Sequence, residues 1–419
     1  MVERDRGEKT NEEKDSPRIW GHVMCGSVFL SFAMVTQIYA FGFNGFCQTL
    51  PGEDDKNVVA VFVPQKIRGI QRIVYAFADT TLGLNDKGEL VLWGFNPQTS
   101  CIASIPTAFT KFGDSAPVQV YGNGSSIIGA LDKEGQIWQY SLSENKANPV
   151  ILLNRCVDIA YCGIDNTIVA IRVTAYFPPK DDGTLWILSV HLPSTPTLLP
   201  LPTPTPRFTC LASFHSSSTS AHLLALTATG DIYSWGSNRF GQLGHGHAGD
   251  TVVPEPIEAL QGVPAEAAAC GAFHSAVVAQ GSLYTFGWNA LGRLGIGEGE
   301  GSETTPQMAD FRNNKTGEVG EEVEVNVVKV ACGAAHTIAI DDQGSLWICG
   351  SGKYGQLGLS PSAKSPIQGD PTEDEGEDGF HISTFRRHPF FGREHGREVV
   401  DCVAGFWNTF VTVKKEDEL

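Results

Sequence analysis

Val328-Lys329-Val330-Ala331-Cys332-Gly333-Ala334-Ala335-His336-Thr337-Ile338-Ala339-Ile340 decides the fold. Two apolar runs of strand length flank a bend of small residues, and a single His follows the bend. Ala268-Ala269-Cys270-Gly271-Ala272-Phe273-His274-Ser275-Ala276-Val277 repeats it closely. Looser copies occupy 70–84, 118–131, 157–171, 209–226 and 399–413, which makes seven. A second, shorter motif alternates with the first: an apolar-aromatic strand, often closing in an aromatic residue and Gly. It reads Tyr39-Ala40-Phe41-Gly42, Leu92-Trp93-Gly94, Ile137-Trp138-Gln139-Tyr140 and Leu185-Trp186-Ile187-Leu188. It returns as Tyr233-Ser234-Trp235-Gly236, Tyr284-Thr285-Phe286-Gly287 and Trp347-Ile348-Cys349-Gly350, again seven times. Repeats spaced by about 50 residues belong to solenoids, propellers or arrays.

Order distinguishes these. The chain opens on the short motif and closes on the long one, Val403-Ala404-Gly405-Phe406-Trp407-Asn408-Thr409-Phe410-Val411. Elsewhere the long motif runs into the short one through a turn such as Asp132-Lys133-Glu134-Gly135. An open array would leave both half-units unpaired, with exposed sheet edges. A ring in which the N-terminal strand (about 37–42) completes the C-terminal half-blade (about 399–413) leaves none. The sequence therefore predicts an all-β, seven-bladed β-propeller over 34–414. Residues 1–33 are expected to be an extension outside it, and 415–419 a charged tail. Loop insertions are expected at about 192–207, 297–326 and 360–398.

Composition agrees with short strands and many turns: 46 Gly, 23 Pro and only 18% charged residues among 419. A net charge of −17 argues against sequence-specific nucleic-acid binding, which needs a broad basic face. It favours a basic partner. The ten cysteines show no CxxC pair or zinc spacing and read as small buried residues in a reducing compartment. Residues 19–41 lack Asp, Glu, Lys and Arg. Polar and glycine interruptions there, and the strand that follows, make a membrane span the weaker reading. Glu416-Asp417-Glu418-Leu419 is only a loose match to a retrieval signal.

Three blocks carry a family resemblance. They are Trp235-Gly236-Ser237-Asn238-Arg239-Phe240-Gly241-Gln242-Leu243-Gly244-His245-Gly246, Gly287-Trp288-Asn289-Ala290-Leu291-Gly292-Arg293-Leu294-Gly295 and Gly352-Lys353-Tyr354-Gly355-Gln356-Leu357-Gly358. Each follows the aromatic-Gly strand and leads to the next long motif. In these the chain resembles the regulator-of-chromosome-condensation repeat family, well over 220–360 and by strand rhythm alone over 95–220. The resemblance implies a protein-binding propeller without cofactor or metal, monomeric, nuclear or cytosolic. Within the family the pattern is similar to small chromatin-associated propellers that partner a JmjC-type lysine demethylase or hydroxylase and histones. Tyr39–Gln48, Glu258–Gly262, Gly287–Asn289 and Gly405–Thr409 support that likeness. Accessory propellers of tRNA wobble-uridine modification and diphthamide synthesis (the tubulin-suppressor type) remain an alternative. Nucleotide exchange on a Ran-like GTPase is a third.

Most recurring residues read as fold residues. Gly241 and Gly244 suit tight turns. His274 and His336, with Asn408 and Asn166 in the same place, are expected to bond backbone inside their own blade. Cys270, Gly271, Cys332 and Gly333 complete that unit. Trp93, Trp138, Trp186, Trp235 and Trp347 read as packing rather than as an aromatic cage. His245-Gly246-His247 lacks a third and fourth metal ligand, and no catalytic residue stands out. Function is therefore expected in the loops. The last insertion joins the acidic run Glu373–Asp378 to Phe385, Arg386, Arg387, Phe390, Phe391 and Arg393. Aromatic and Arg side chains are the types that anchor interfaces, so these six are the candidate partner-binding residues. On that reading Arg386→Ala with Arg387→Ala weakens partner binding and leaves stability nearly unchanged.

Overall fold

A computed structural model describes residues 36–414 apart from 53–57, 97–98, 110–116, 123–126, 142–149, 163–166, 174–182, 190–194, 202–203, 215–220, 314–319 and 361–379. The strands form seven sheets, antiparallel but for one short edge strand. Blade 1 runs outward from the axis as Ile70–Ala76, Thr80–Asn85, Leu90–Asn96 and Cys101–Ala108. Blade 2 is Pro117–Gly122, Ile127–Asp132, Ile137–Ser141 and Val150–Leu153, and blade 3 is Cys156–Cys162, Thr167–Arg172, Thr184–Ser189 and Thr197–Leu198. Blade 4 is Phe208–Ser213, His222–Thr227, Ile232–Gly236 and Thr251–Pro256; blade 5 is Ala265–Cys270, His274–Ala279, Ser282–Trp288 and Ser302–Met308. Blade 6 is Val327–Cys332, His336–Asp341, Leu346–Ser351 and His381–Arg387.

Blade 7 closes the ring. Thr36–Phe43 pairs with Asn408–Lys414 in an unbroken register from Thr36↔Lys414 to Gly42↔Asn408. Val399–Ala404 is its innermost strand and Ala60–Ile67 its outermost. The N-terminal segment thus supplies two strands of the closing blade, one more than the half-motif count implied. The apolar clusters lie between neighbouring sheets, as in Ile38, Ile67, Ile73, Trp93 and Phe410 between blades 7 and 1. Burial of such faces is the main stabilising term.

One expectation is corrected here. The regions expected as pure insertions hold the outermost strands: Thr197–Leu198 within 192–207, Ser302–Met308 within 297–326, and His381–Arg387 within 360–398. These strands are hard to read because most interrupt themselves. Pro64, Pro106, Pro254 and Pro306 each sit in a register shift, one residue before the strand re-pairs inward. Proline removes an N–H from a sheet edge, where it is tolerated and where it discourages further pairing. Blade 6 is the informative exception. Phe385 holds the proline's place, and its N–H bonds to the Asp310 carbonyl at 2.8 Å. Phe311–Arg312 then pairs in parallel with Phe385 and Arg386, covering that edge. An edge that is covered needs its donor. Among the described cysteines none is in a disulfide, and all but Cys101 and Cys162 are buried.

Candidate functional site

The Cys-Gly-x-x-His unit is a clamp between blades. His274 Nε2 lies 2.8 Å from Thr337 Oγ1 and His336 Nε2 lies 3.0 Å from Thr409 Oγ1, each in the next blade. His222, which the sequence reading did not single out, reaches Ser275 Oγ at 2.8 Å in the same way. Those hydroxyls in turn donate to the carbonyls of Arg293, Gln356 and Gln242 at 2.7–2.8 Å. With the hydroxyl hydrogen so placed, its oxygen accepts from His Nε2–H, and the rings are neutral. Burial pushes His274 well below the usual imidazole range and His336 down to about 3, with the Arg293 guanidinium adding to both. The expectation of a bond to backbone inside the same blade is therefore corrected: the bond goes to a hydroxyl across the blade junction. Asn408 is buried in the equivalent place at the closing junction, where Thr81 donates to the Gln48 carbonyl at 2.7 Å. Asn166 lies outside the described residues.

The Gly-Gln-Leu-Gly turns clamp the rim. Gly241 has φ +78°, and a Cβ there would stand 2.7 Å from Thr304 Cα of the next blade's outermost strand. Gly244 has φ +76° and faces the Phe286 ring. Gln242 accepts the Phe240 N–H at 2.9 Å and holds the turn shut. Thr337→Val is expected to cost about 2 kcal/mol, since it strands the His274 donor and the Arg293 acceptor. Urea titrations should show that Thr337→Ser retains most of the stability.

Blades 1 to 3 use other links. Arg72 donates to the Val118 carbonyl at 2.9 Å, Tyr75 to Gly122 at 3.1 Å, and Gln119 to Ile159 at 2.8 Å. Asp158 accepts the Leu211 N–H at 2.7 Å. Arg72, Gln119 and Asp158 each stand at the third position of their innermost strand.

The six candidate partner-binding residues do not form one surface. Phe385 and Phe391 are fully buried, in the blade 5–6 and blade 6–7 cores. Arg386 is 7% exposed and donates to the Asn313 carbonyl at 2.9 Å. This overturns the expected effect of Arg386→Ala: losing a buried charge and its bond costs stability. Arg387 bonds Ser345 and Glu394, Arg393 bonds Glu398, and Phe390 packs on Tyr39 and under Arg397. Only Phe390, Arg387 and Arg393 remain at the surface. The Glu373–Asp378 run lies outside the described residues.

One constellation looks catalytic. Ser234 Oγ is 2.5 Å from His245 Nε2, and His245 Nδ1 is 3.4 Å from Glu255. Yet Ser234 is fully buried and gives its hydrogen to the Leu243 carbonyl at 2.7 Å. Thr285 makes the same bond to Leu294 one blade on, at 2.7 Å. This is a turn fastener, with no approach for a substrate. Groups able to hold a metal ion are absent among the described residues, and no helix there is long and apolar enough to cross a membrane.

The face bearing the loops after the innermost and third strands is different. Phe43 meets Tyr354 and Trp407 edge to face, and those two meet tilted, all at 5.7–5.8 Å. Phe46 (37% exposed) adjoins Phe43, while Phe406 joins Trp407 at 5.2 Å, Phe77 at 5.7 Å and Phe214 at 5.1 Å. Phe240, Phe273 and Trp288 form a second group at 4.8–5.7 Å, with Arg239 over Phe240. Most of these rings are half-buried. They touch one another, so the group offers a broad apolar surface rather than a cage around a cation.

Comparisons with known proteins agree with this architecture. Models described as the regulator of chromosome condensation (RCC1) repeat match residues 229–278, 280–340 and 327–356. The ultraviolet-B receptor UVR8 of Arabidopsis thaliana is 41% identical over 139 residues, 33% of this chain and 29% of the receptor. The RCC2 homolog of Xenopus laevis is 37% identical over 164 residues, 38% of this chain and 30% of the relative. The alignments thus span under a third of either relative. The crystal structure of Prp20p from Saccharomyces cerevisiae superposes with a TM-score of 0.67 at 16% identity, covering 95% of this chain and 94% of that one. By its repeats, its closure and these likenesses, the chain is a seven-bladed β-propeller carrying regulator-of-chromosome-condensation repeats.

Proposed function

We propose that the chain is a non-enzymatic protein-binding scaffold, nuclear or cytosolic, that docks partners on its aromatic face. The carrying observation is the continuous band of half-buried rings from Phe46 through Trp407 and Phe406 to Phe77. Contiguous apolar surface of this kind marks interaction sites, and aromatic anchors dominate their energetics. The more specific reading is a chromatin adaptor for a JmjC-type histone-modifying enzyme. The motif likeness of Tyr39–Gln48 and Gly405–Thr409 supports it, and both segments build the face. The solved Prp20p is described by its binding to Gsp1p and histones, which favours a GTPase or histone partner as the second reading.

Phe46→Asp is expected to weaken binding of a purified JmjC-domain enzyme by at least about tenfold. Stability should change by less than about 1 kcal/mol, because the ring is exposed. Unchanged affinity would remove the face from the interaction. Absence of any complex with the wild-type chain would remove the adaptor reading, and a mant-GDP release assay then tests the GTPase reading.

A further inference from the structure

The innermost strands of all seven blades run in one direction round the axis, so their equivalent positions form rings. Their last residues reach the aromatic face; their third residues are Arg72, Gln119, Asp158, Cys210, Ala267, Lys329 and Asp401. The space they enclose is a cavity of ≈ 190 Å³ lined from Arg72, Asp158 and Lys329 at one end to Ala76, Phe214 and Ala404 at the other. Phe406 of blade 7 meets Phe77 of blade 1 and Phe214 of blade 4 across the axis, which floors the channel at the aromatic face. The opposite end opens between second-position residues, where Val157 and Val328 are 37% and 50% exposed. The channel is therefore blind, with an apolar floor and small wall residues such as Ala331.

Its charge is unlike that of the chain as a whole. Lys329 contacts Asp401, and Asp401 also acts on Arg72, so these three charges meet across three neighbouring blades. The other acid, Asp158, is fully buried, and desolvation raises its carboxyl to about 7 despite two backbone N–H donors. In a chain of net charge −17 this ring brings two cationic side chains to one cavity. We propose that the channel binds a small organic carboxylate, its head between Arg72 and Lys329 and its apolar body on the alanine walls and the phenylalanine floor. Water is the alternative occupant, and that occupant is an outcome of the test. The proposal does not depend on docking at the aromatic face.

The probes are benzoate, benzamide and inorganic phosphate, titrated into the full chain at neutral pH by saturation-transfer NMR with thermal shift alongside. Benzoate is expected to bind saturably, and benzamide and phosphate at least about tenfold more weakly, because each lacks one half of the match. Arg72→Met and Lys329→Met should each weaken benzoate by about tenfold. Both residues also link blades, so Ala331→Phe, which fills the channel and leaves the charges, is the second variant and should abolish binding. No saturable benzoate binding (a channel of water alone) would overturn the proposal. So would equal binding of benzamide or phosphate, or binding that survives Ala331→Phe.

Discussion

Gly333→Val is expected to lower the unfolding free energy by about 4 kcal/mol, enough to threaten folding outright. A Cβ on Gly333 would overlap the ring of His336 and stand 2.7 Å from the Gly405 carbonyl oxygen. Neither neighbour can yield. The His336 ring is fully buried and tied to Thr409, and Gly405 belongs to the bend of the next blade. The same relation recurs one blade back, where a Cβ on Gly271 would meet His274 and stand 2.7 Å from the Gly333 carbonyl. Each glycine therefore lets two blades approach, and a branched side chain would part them at the clamp itself. Gly88→Ala supplies the comparison. Gly88 has φ +73° with nothing within 4 Å of a Cβ, so alanine there should cost only about 1 kcal/mol of backbone strain. Urea unfolding of both variants separates the two effects. If Gly333→Val is no worse than Gly88→Ala, the close approach of the blades is not what the glycine provides.

The fold was legible because two of its features are written as sequence. Strand alternation in the long motif is periodic, and the unequal ends dictate closure, which Thr36–Phe43 and Asn408–Lys414 perform. The outermost strands were not legible, because a proline and a register shift break the alternation where the edge must be discouraged. Phe385 was misread for the related reason that a covered edge turns a loop-like aromatic into core. The His clamp was half legible. The residue after His274, His336 and Asn408 is Ser275, Thr337 and Thr409, a hydroxyl each time, and that dipeptide was the signal for a bond between neighbouring blades. The aromatic face was illegible, since Phe46, Tyr354 and Trp407 lie far apart in sequence and meet only once the ring closes. Trp288 and Trp407 stand outside the short motif, which drew attention to the packing tryptophans instead.

Acid should unfold this propeller steeply, beginning just below neutrality. His274, His336 and His388 are fully buried and neutral; burial holds His336 and His388 at about 3 and His274 well below its ordinary value. Their pKa values are depressed on folding, so the stability they represent is whole above about 6.5 and is lost as the pH falls below it. The unfolded chain then takes up three protons that the native chain refuses. Asp158 opposes this by one, since its carboxyl, raised to about 7, keeps its proton in the native state where the unfolded chain would release it. The net difference is about two protons, or ~2.7 kcal/mol per pH unit between pH 6 and 4. Thermal melts should therefore show a plateau near pH 7–8 and a sharp decline below pH 6. His336→Gln, which keeps an N–H donor near Thr409 and cannot titrate, should be less stable at pH 7.5 yet show a slope shallower by about one proton. A melting temperature that stays flat from pH 7 to 5 would mean that the clamps tolerate charge, and the account of neutral, Nε2-donating rings between the blades would fail with it.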